Sequence, residues 1–192
     1  MFPSTYAKLS TQVLSNVTEA NAAAFTAVTT PETNGGSETA PASEDTVEPG
    51  ADHAGWDSDV PGETVDVGDT ITFTKTIHDE DVKRFAASSG DTNPLHLDEE
   101  FAEETRFNGR IAHGILVSGL ISAALARLPG DVVYLSQDLE FLAPVEIGDR
   151  VTAECAIAED LGNNQYRLTT TVTDGDDETV IDGEAVVLIL AE

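Results

Sequence analysis

Between residues 89 and 98 the chain reads SGDTNPLHLD. An acid, an amide and an imidazole, Asp91, Asn93 and His96, fall within a few positions of one another. Pro94 biases Asn93 toward an extended backbone and stiffens the turn. In such a bent segment Asp91 and His96 can both point into one cavity. A carboxylate and an imidazole that face the same water can remove one of its protons and supply one elsewhere. Addition of water across a double bond needs that pair of acts. Asn93 can fix the loop, or one of the two groups, by hydrogen bonding.

A second group stands at Ala112-His113-Gly114, where an apolar segment begins. If that segment is a helix, its first N–H groups lack internal partners and carry the positive end of the dipole. Gly114 has no side chain, so an oxygen can approach its N–H closely. An N–H so placed suits a thioester oxygen that becomes an enolate, the charge that builds when water adds to an α,β-unsaturated thioester. His113 invites a reading as a second base, but packing or hydrogen bonding at the helix start is the simpler expectation. Asp91, His96 and His113 also have the makings of a two-histidine, one-carboxylate metal site; nothing nearby in sequence supplies the outer partners such a site wants.

These groups need elements to hold them. TITFTKTIH (70–78) alternates like a strand, and HDEDVKRFAASSG reads as a helix capped at Asp79 and stopped by Gly90. Asp98 can cap a short helix, EEFAEET. From Ile115 to Leu128 the chain is apolar nearly all round, which predicts a helix buried on most faces and ended by Pro129-Gly130. Four strand-like runs follow, VVYLSQDLEFLAP, RVTAECAIAE, QYRLTTTVTD and TVIDGEAVVLILA, separated by turn-like VEIGD, DLGNN and DGDDE. One strand, a long buried helix and an antiparallel meander make an α+β domain with a sheet wrapped around a helix over residues 61–192. Residues 31–60, rich in Pro, Gly, Ser, Thr and acids, read as an acidic disordered linker. Residues 1–30 carry an amphipathic pattern. That helix either docks on its own domain or binds a partner such as a protein or a storage-granule surface. Trp56, inside the linker, is either a tether or simply exposed.

The 36 acidic residues stand against 9 basic ones, a formal charge of −27. A surface of that sign repels nucleic acid and anionic lipid. Scarce Lys with abundant Asp and Glu resembles proteins of salt-loving archaea, where screening makes such charge tolerable. Cys155, the only cysteine, sits in an alternating run and is expected to pack rather than react. No apolar run reaches membrane-spanning length and no secretory signal opens the chain, so a cytoplasmic protein is expected.

The segment FAASSGDTNPLHLDEEFAEETRFNGRIAHGILVSGLIS resembles the signature of the MaoC-like, or hydratase 2, family of (R)-specific enoyl-CoA hydratases. The likeness centres on Gly90, Asp91, Asn93, Pro94, His96, Ala112, His113 and Gly114, and VYLSQDLEFLAPVEIGD resembles the family's next strand and turn. It covers residues 64–190. The resemblance implies a hot-dog fold and a homodimer with active sites near the subunit interface. It implies Asp91 and His96 as the catalytic pair, Gly114 as the oxyanion donor and Asn93 as the residue that orders the loop. Ser122 would be a polar neighbour of the catalytic acid, although it can equally bond back to its own helix. Leu125 would line an acyl tunnel. The implied reaction is reversible syn hydration of a trans-2-enoyl-CoA to an (R)-3-hydroxyacyl-CoA, with no metal or redox cofactor and coenzyme A present only as part of the substrate. Such a product serves polyhydroxyalkanoate synthesis in many microbes.

Coenzyme A is itself anionic, so local cations are needed. Lys83, Arg84, Arg106 and Arg110 are nearest the motifs, with Arg106 and Arg110 the leading candidates to bind its phosphates. Alternatively, these residues pair with neighbouring acids. Other readings are a hydratase for branched or dicarboxylic acyl-CoA of the mesaconyl-CoA type, a hot-dog thioesterase, and a non-catalytic scaffold on storage granules. The first needs a cation in its pocket, and the central helix offers only Arg127, near its end.

Overall fold

The computed structural model describes residues 55–190. The expected helix over 1–30 and most of the expected linker lie outside the described residues. Ten elements follow in order. They are β1 (Gly55–Ser58), β2 (Thr70–Thr76), α1 (Asp79–Ser89), α2 (Pro94–Leu97), α3 (Glu99–Glu103), α4 (Gly114–Leu125), β3 (Asp131–Phe141), β4 (Arg150–Gly162), β5 (Gln165–Thr173) and β6 (Thr179–Leu190).

All six strands join one antiparallel sheet in the order β1-β2-β4-β5-β6-β3. Strand alternation decides which residues face the helix. On β4, Val151, Ala153, Cys155 and Ile157 are buried and their neighbours are not. Ile71 and Phe73 on β2, and Leu168, Thr170 and Val172 on β5, complete that inner face. The central helix α4 lies on it and packs against β2, β4 and β5. Val117, Leu120, Ile121, Ala124 and Leu125 point into this core. Truncation of any one of the large residues there to Ala costs about 2–5 kcal/mol. Burial pushes the Cys155 thiol up to about 12, so it packs as a small apolar group.

The structure corrects two expectations. Residues 55–58 are a strand rather than linker: β1 pairs antiparallel with β2, with Trp56 opposite Phe73. The Trp56 ring packs at a tilt against Phe73 with centroids 4.6 Å apart, its Nε1–H donates to the Ala123 carbonyl at 3.0 Å, and the Arg127 guanidinium lies over the Trp56 ring at 4.2 Å. Trp56 is therefore a tether, and it satisfies a carbonyl of the last turn of α4 that would otherwise lack a partner. The second correction is partial: α4 is buried or half-buried on most faces, as its apolar sequence predicts, but it keeps one exposed stripe. Ile115, Gly119, Ser122 and Ala126 form an exposed stripe, with Ile115 60% exposed.

Candidate active site

The loop that carries Asp91 is built by successive local hydrogen bonds. Gly90 ends α1 in the left-handed conformation, φ 79°, which a side chain would resist, and donates to the Ala86 carbonyl. Asp91 then turns the chain, its Oδ1 accepting from the Asn93 N–H at 3.2 Å. Asn93 caps α2, its Oδ1 accepting from the Leu95 N–H at 3.1 Å, with Pro94 at the first helical position. This single turn of helix presents His96. Sequence reading missed the turn as an element, although the Asn-Pro pair is its signal.

His96 is 8% exposed. Its Nδ1 lies 2.8 Å from the Ile111 carbonyl oxygen, which can only accept, so Nδ1 carries the proton. Nε2 is then left bare to act as a base. Ile111 is held in turn by a bridge to Glu146, and Ala112 donates to the Val145 carbonyl at 2.8 Å. These two links pin the start of α4 beside His96. Ligand atoms of Asp91, His96 and His113 all lie within 4.8 Å of one another. One water molecule can span such a gap. The two motifs, separate in sequence, thus meet in space.

A cavity of about 430 Å³ opens beside them. His96 and Gly114 line it, together with apolar walls from Ile111, Val117, Phe141, Val145 and Ile181. The Gly114 N–H is among the first of α4 and has no intrahelical partner. Phe141, at the end of β3, lies so close over Gly114 that an added Cβ would stand 2.7 Å from the ring. Phe141 is a member of the site that sequence reading did not find. It stands in the strand-like run VVYLSQDLEFLAP, and nothing in that run gives a reason to place it against the helix start.

His113 is 2% exposed and makes no cap bond to its own helix. Its Nε2 instead reaches the Asp91 carbonyl at 3.0 Å, and its ring lies against His96 with centroids 3.9 Å apart and a tilt of 34°. Both imidazoles do have backbone carbonyl partners, which the sequence did not reveal.

Other expected site residues lie elsewhere. Ser122 is exposed on α4 and does not line the cavity. At about 1.5 Å per residue it stands some 12 Å along the helix from Gly114. Leu125 shares the face of Gly114 but lies about 16 Å away, sealed in the core at 1% exposure. Arg110 is 17% exposed and ion-paired with Asp79 at 2.8 Å and Glu99 at 3.0 Å. Lys83 pairs with Asp79, and Arg84 with Glu80. Of the four cations nearest the motifs, only Arg106 has no acid partner among the described residues. It lies over the Phe107 ring and lines the cavity.

Residues 58–180 match the MaoC like domain. This chain belongs to the MaoC-like family. Among relatives of the MaoC-like chain, a 3-hydroxybutyryl-CoA dehydratase of Methylorubrum extorquens is 48% identical over 130 residues, 66% of this chain and 82% of that protein. An (R)-specific enoyl-CoA hydratase of Rhodospirillum rubrum is 42% identical over 134 residues, 67% of this chain and 91% of that protein. Among solved structures, the (R)-hydratase of Aeromonas caviae involved in PHA biosynthesis superposes with a TM-score of 0.64 at 38% identity, covering 67% of this chain and all of that one (100%). The MaoC-like fold here is the hot-dog fold, and the protein is an enzyme of the hydratase–dehydratase class, a carbon–oxygen lyase. Among the described residues, no helix is long and apolar enough to cross a membrane.

Proposed function

We propose that this MaoC-like enzyme hydrates trans-2-enoyl-CoA reversibly to (R)-3-hydroxyacyl-CoA, with Asp91 and His96 as its catalytic pair and Gly114 as its oxyanion donor. The observation that carries the reading is that His96 and the first residue of α4, Gly114, line one apolar cavity, and that an Asp91 carboxylate oxygen lies within 4.8 Å of a His96 ring nitrogen. The enoyl thioester lies in the cavity with its carbonyl oxygen at the Gly114 N–H. A water sits between His96 and Asp91. His96 Nε2 takes one proton as the water oxygen bonds to C3, and Asp91 holds the other by a hydrogen bond. The electrons of the double bond move onto the thioester oxygen, where the N–H and the helix dipole stabilise them. The enolate then collapses and C2 takes the proton back from His96. Hydroxyl and hydrogen arrive on one face, and both side chains end as they began. No metal or redox step enters this scheme.

The names of the relatives support coenzyme A as the carrier, and supply of polyhydroxyalkanoate monomers as the use. A homodimer is part of the proposal: β3 is an 11-residue edge strand, and Ile115, Phe141 and Leu142 expose apolar surface beside the cavity. Residues 1–30 remain the candidate contact to a granule or protein partner in the cytoplasm. One observation favours a second reading. Arg106 lines the cavity, so it can pair with the extra carboxylate of a dicarboxylic substrate of the mesaconyl-CoA type.

The test is crotonyl-CoA hydration in molar potassium chloride, followed by loss of enoyl-thioester absorbance, with the product's stereochemistry determined. Asp91→Ala and His96→Ala should each lower kcat by about 10²–10⁴, and the product should be (R). Activity that survives either change removes the pair from the chemistry. A wild type silent on crotonyl-CoA but active on mesaconyl-CoA selects the second reading.

A further inference from the structure

His113 is the buried titratable group that the scheme above leaves unused, and its environment is unusual. Its Nε2 faces the Asp91 carbonyl, an oxygen that can only accept, so Nε2 carries the proton. Nδ1 is then a bare lone pair, buried and without a hydrogen-bond partner among the described residues. A phenylalanine would fill the same space with no orphaned polar atom. Packing alone therefore does not account for an imidazole here. The ring touches both halves of the catalytic pair: its proton goes to the backbone of Asp91, and its face lies on His96 at 3.9 Å. Phe85, from α1, backs it at 4.9 Å.

We propose that His113 is a positioning residue that holds Asp91 and His96 in mutual register through one ring. Its kinetic consequence rests on the hydratase reading. The donor half matters most. Asp91 is exposed, and among the described residues its restraints from the loop are local ones: its carboxylate accepts from the Asn93 N–H and its own N–H donates to Ser89 Oγ at 3.2 Å. The bond from His113 fixes the backbone of the same residue from the protein interior. His96 has its own anchor in the Ile111 carbonyl, and the stacked ring adds only a wall.

Two replacements separate the halves. His113→Gln keeps an N–H donor at about the position of Nε2 and loses the ring face. His113→Phe keeps the face and loses the donor. With crotonyl-CoA, the Phe variant should lose roughly 10- to 100-fold in kcat, as misplaced reacting groups do, with KM nearly unchanged. The Gln variant should recover much of that loss, while thermal melts of both stay close to wild type. Equal losses in both variants would make His113 a base rather than a positioner. Losses that track only the unfolded fraction would make it structural, and wild-type kcat in the Phe variant would remove it from the site. Nuclear magnetic resonance supplies a readout independent of turnover. With four histidines in the chain, assignment by single replacement is direct. His113 should be the Nε2–H tautomer, and the Asp91 carbonyl carbon should shift in the Phe variant and stay in the Gln variant. If wild type hydrates no enoyl thioester, the hydratase reading fails and this readout alone decides the positioning: an Nδ1–H tautomer or an unmoved Asp91 carbonyl overturns it.

Discussion

Replacement of Gly114 by Ala separates the cost to the fold from the cost to the chemistry. An ideal Cβ at this position would stand 2.7 Å from Cε1 and 2.9 Å from Cδ1 of Phe141. Such contacts force a shift, but the clashing atoms belong to a side-chain ring and not to backbone, so the ring can yield. A ring pushed about 30° from its rotamer costs about 0.5–1.5 kcal/mol. Gain of alanine in place of glycine in a helix returns up to about 1 kcal/mol. The net change in stability should be small, with a melting temperature within about 5 °C of wild type. Function should respond differently. The methyl group occupies the space through which a thioester oxygen must reach the N–H, and loss of one oxyanion donor costs about 10²–10³ in kcat, or about 2.7–4 kcal/mol. The assay is crotonyl-CoA hydration beside a circular-dichroism melt on the same preparation. Retention of kcat within roughly threefold, which is under about 0.7 kcal/mol, would refute the role of this amide. So would a large fall in melting temperature with activity that merely follows the folded fraction.

Two further outcomes follow from the cations and acids. Arg106→Glu should raise KM for crotonyl-CoA about tenfold, the scale of one charge-assisted hydrogen bond, and leave KM for crotonyl-pantetheine unchanged. Arg110→Glu should instead lower the melting temperature, because it sets a third acid between Asp79 and Glu99; a phosphate-binding role for Arg110 would return if KM rose as well. At low pH the pair of Asp81 with Lys75 should fail. Burial pushes the Asp81 carboxyl up, but the Lys75 ammonium and the His78 amide together hold it below its ordinary 3.8. A depressed folded pKa contributes stability that is present above 3.8 and lost as pH falls through the lower folded value. The stability gap between wild type and Asp81→Asn in urea should therefore shrink as pH falls below 3.8, and a gap that stays constant until the wild type itself unfolds in acid would refute the coupling.

The catalytic loop was legible because its chemistry is local. The bonds that shape its backbone from Gly90 to His96 span four residues or fewer, so residue type and spacing carry them, whereas the links from Ile111 to His96 and from His113 to Asp91 do not show in the local sequence. The central helix and the four later strands were legible for a related reason: period and turn residues are local signals as well. What the sequence hid depends on contacts across the fold. Strand β1 reads as linker because Gly55, Asp57 and Ser58 have little strand preference; it exists because β2 offers an edge and Trp56 reaches Ala123, 67 positions away. Sequence left Arg110 open between a phosphate and neighbouring acids; it is clamped by Asp79, an acid 31 positions away (110 − 79) that belongs to α1. Ser122 has the right type for a site on α4, but helical rise carries it away from Gly114, and no periodicity states where a cavity ends.

Charge settles how an anionic substrate and this surface can coexist. Lys83, Arg84 and Arg110 are taken up by Asp79, Glu80 and Glu99, so they offer a ligand little net field. Attraction at long range is therefore unavailable to a chain of formal charge −27. In molar salt the Debye length is about 3 Å. Repulsion from acids spread over the surface is then screened, whereas a contact pair between Arg106 and one anionic group of the ligand stays within that length. Recognition of an anion has to be short-ranged, and Arg106, the one of the four without an acid partner among the described residues, stands on the cavity wall, where a short-range contact can act.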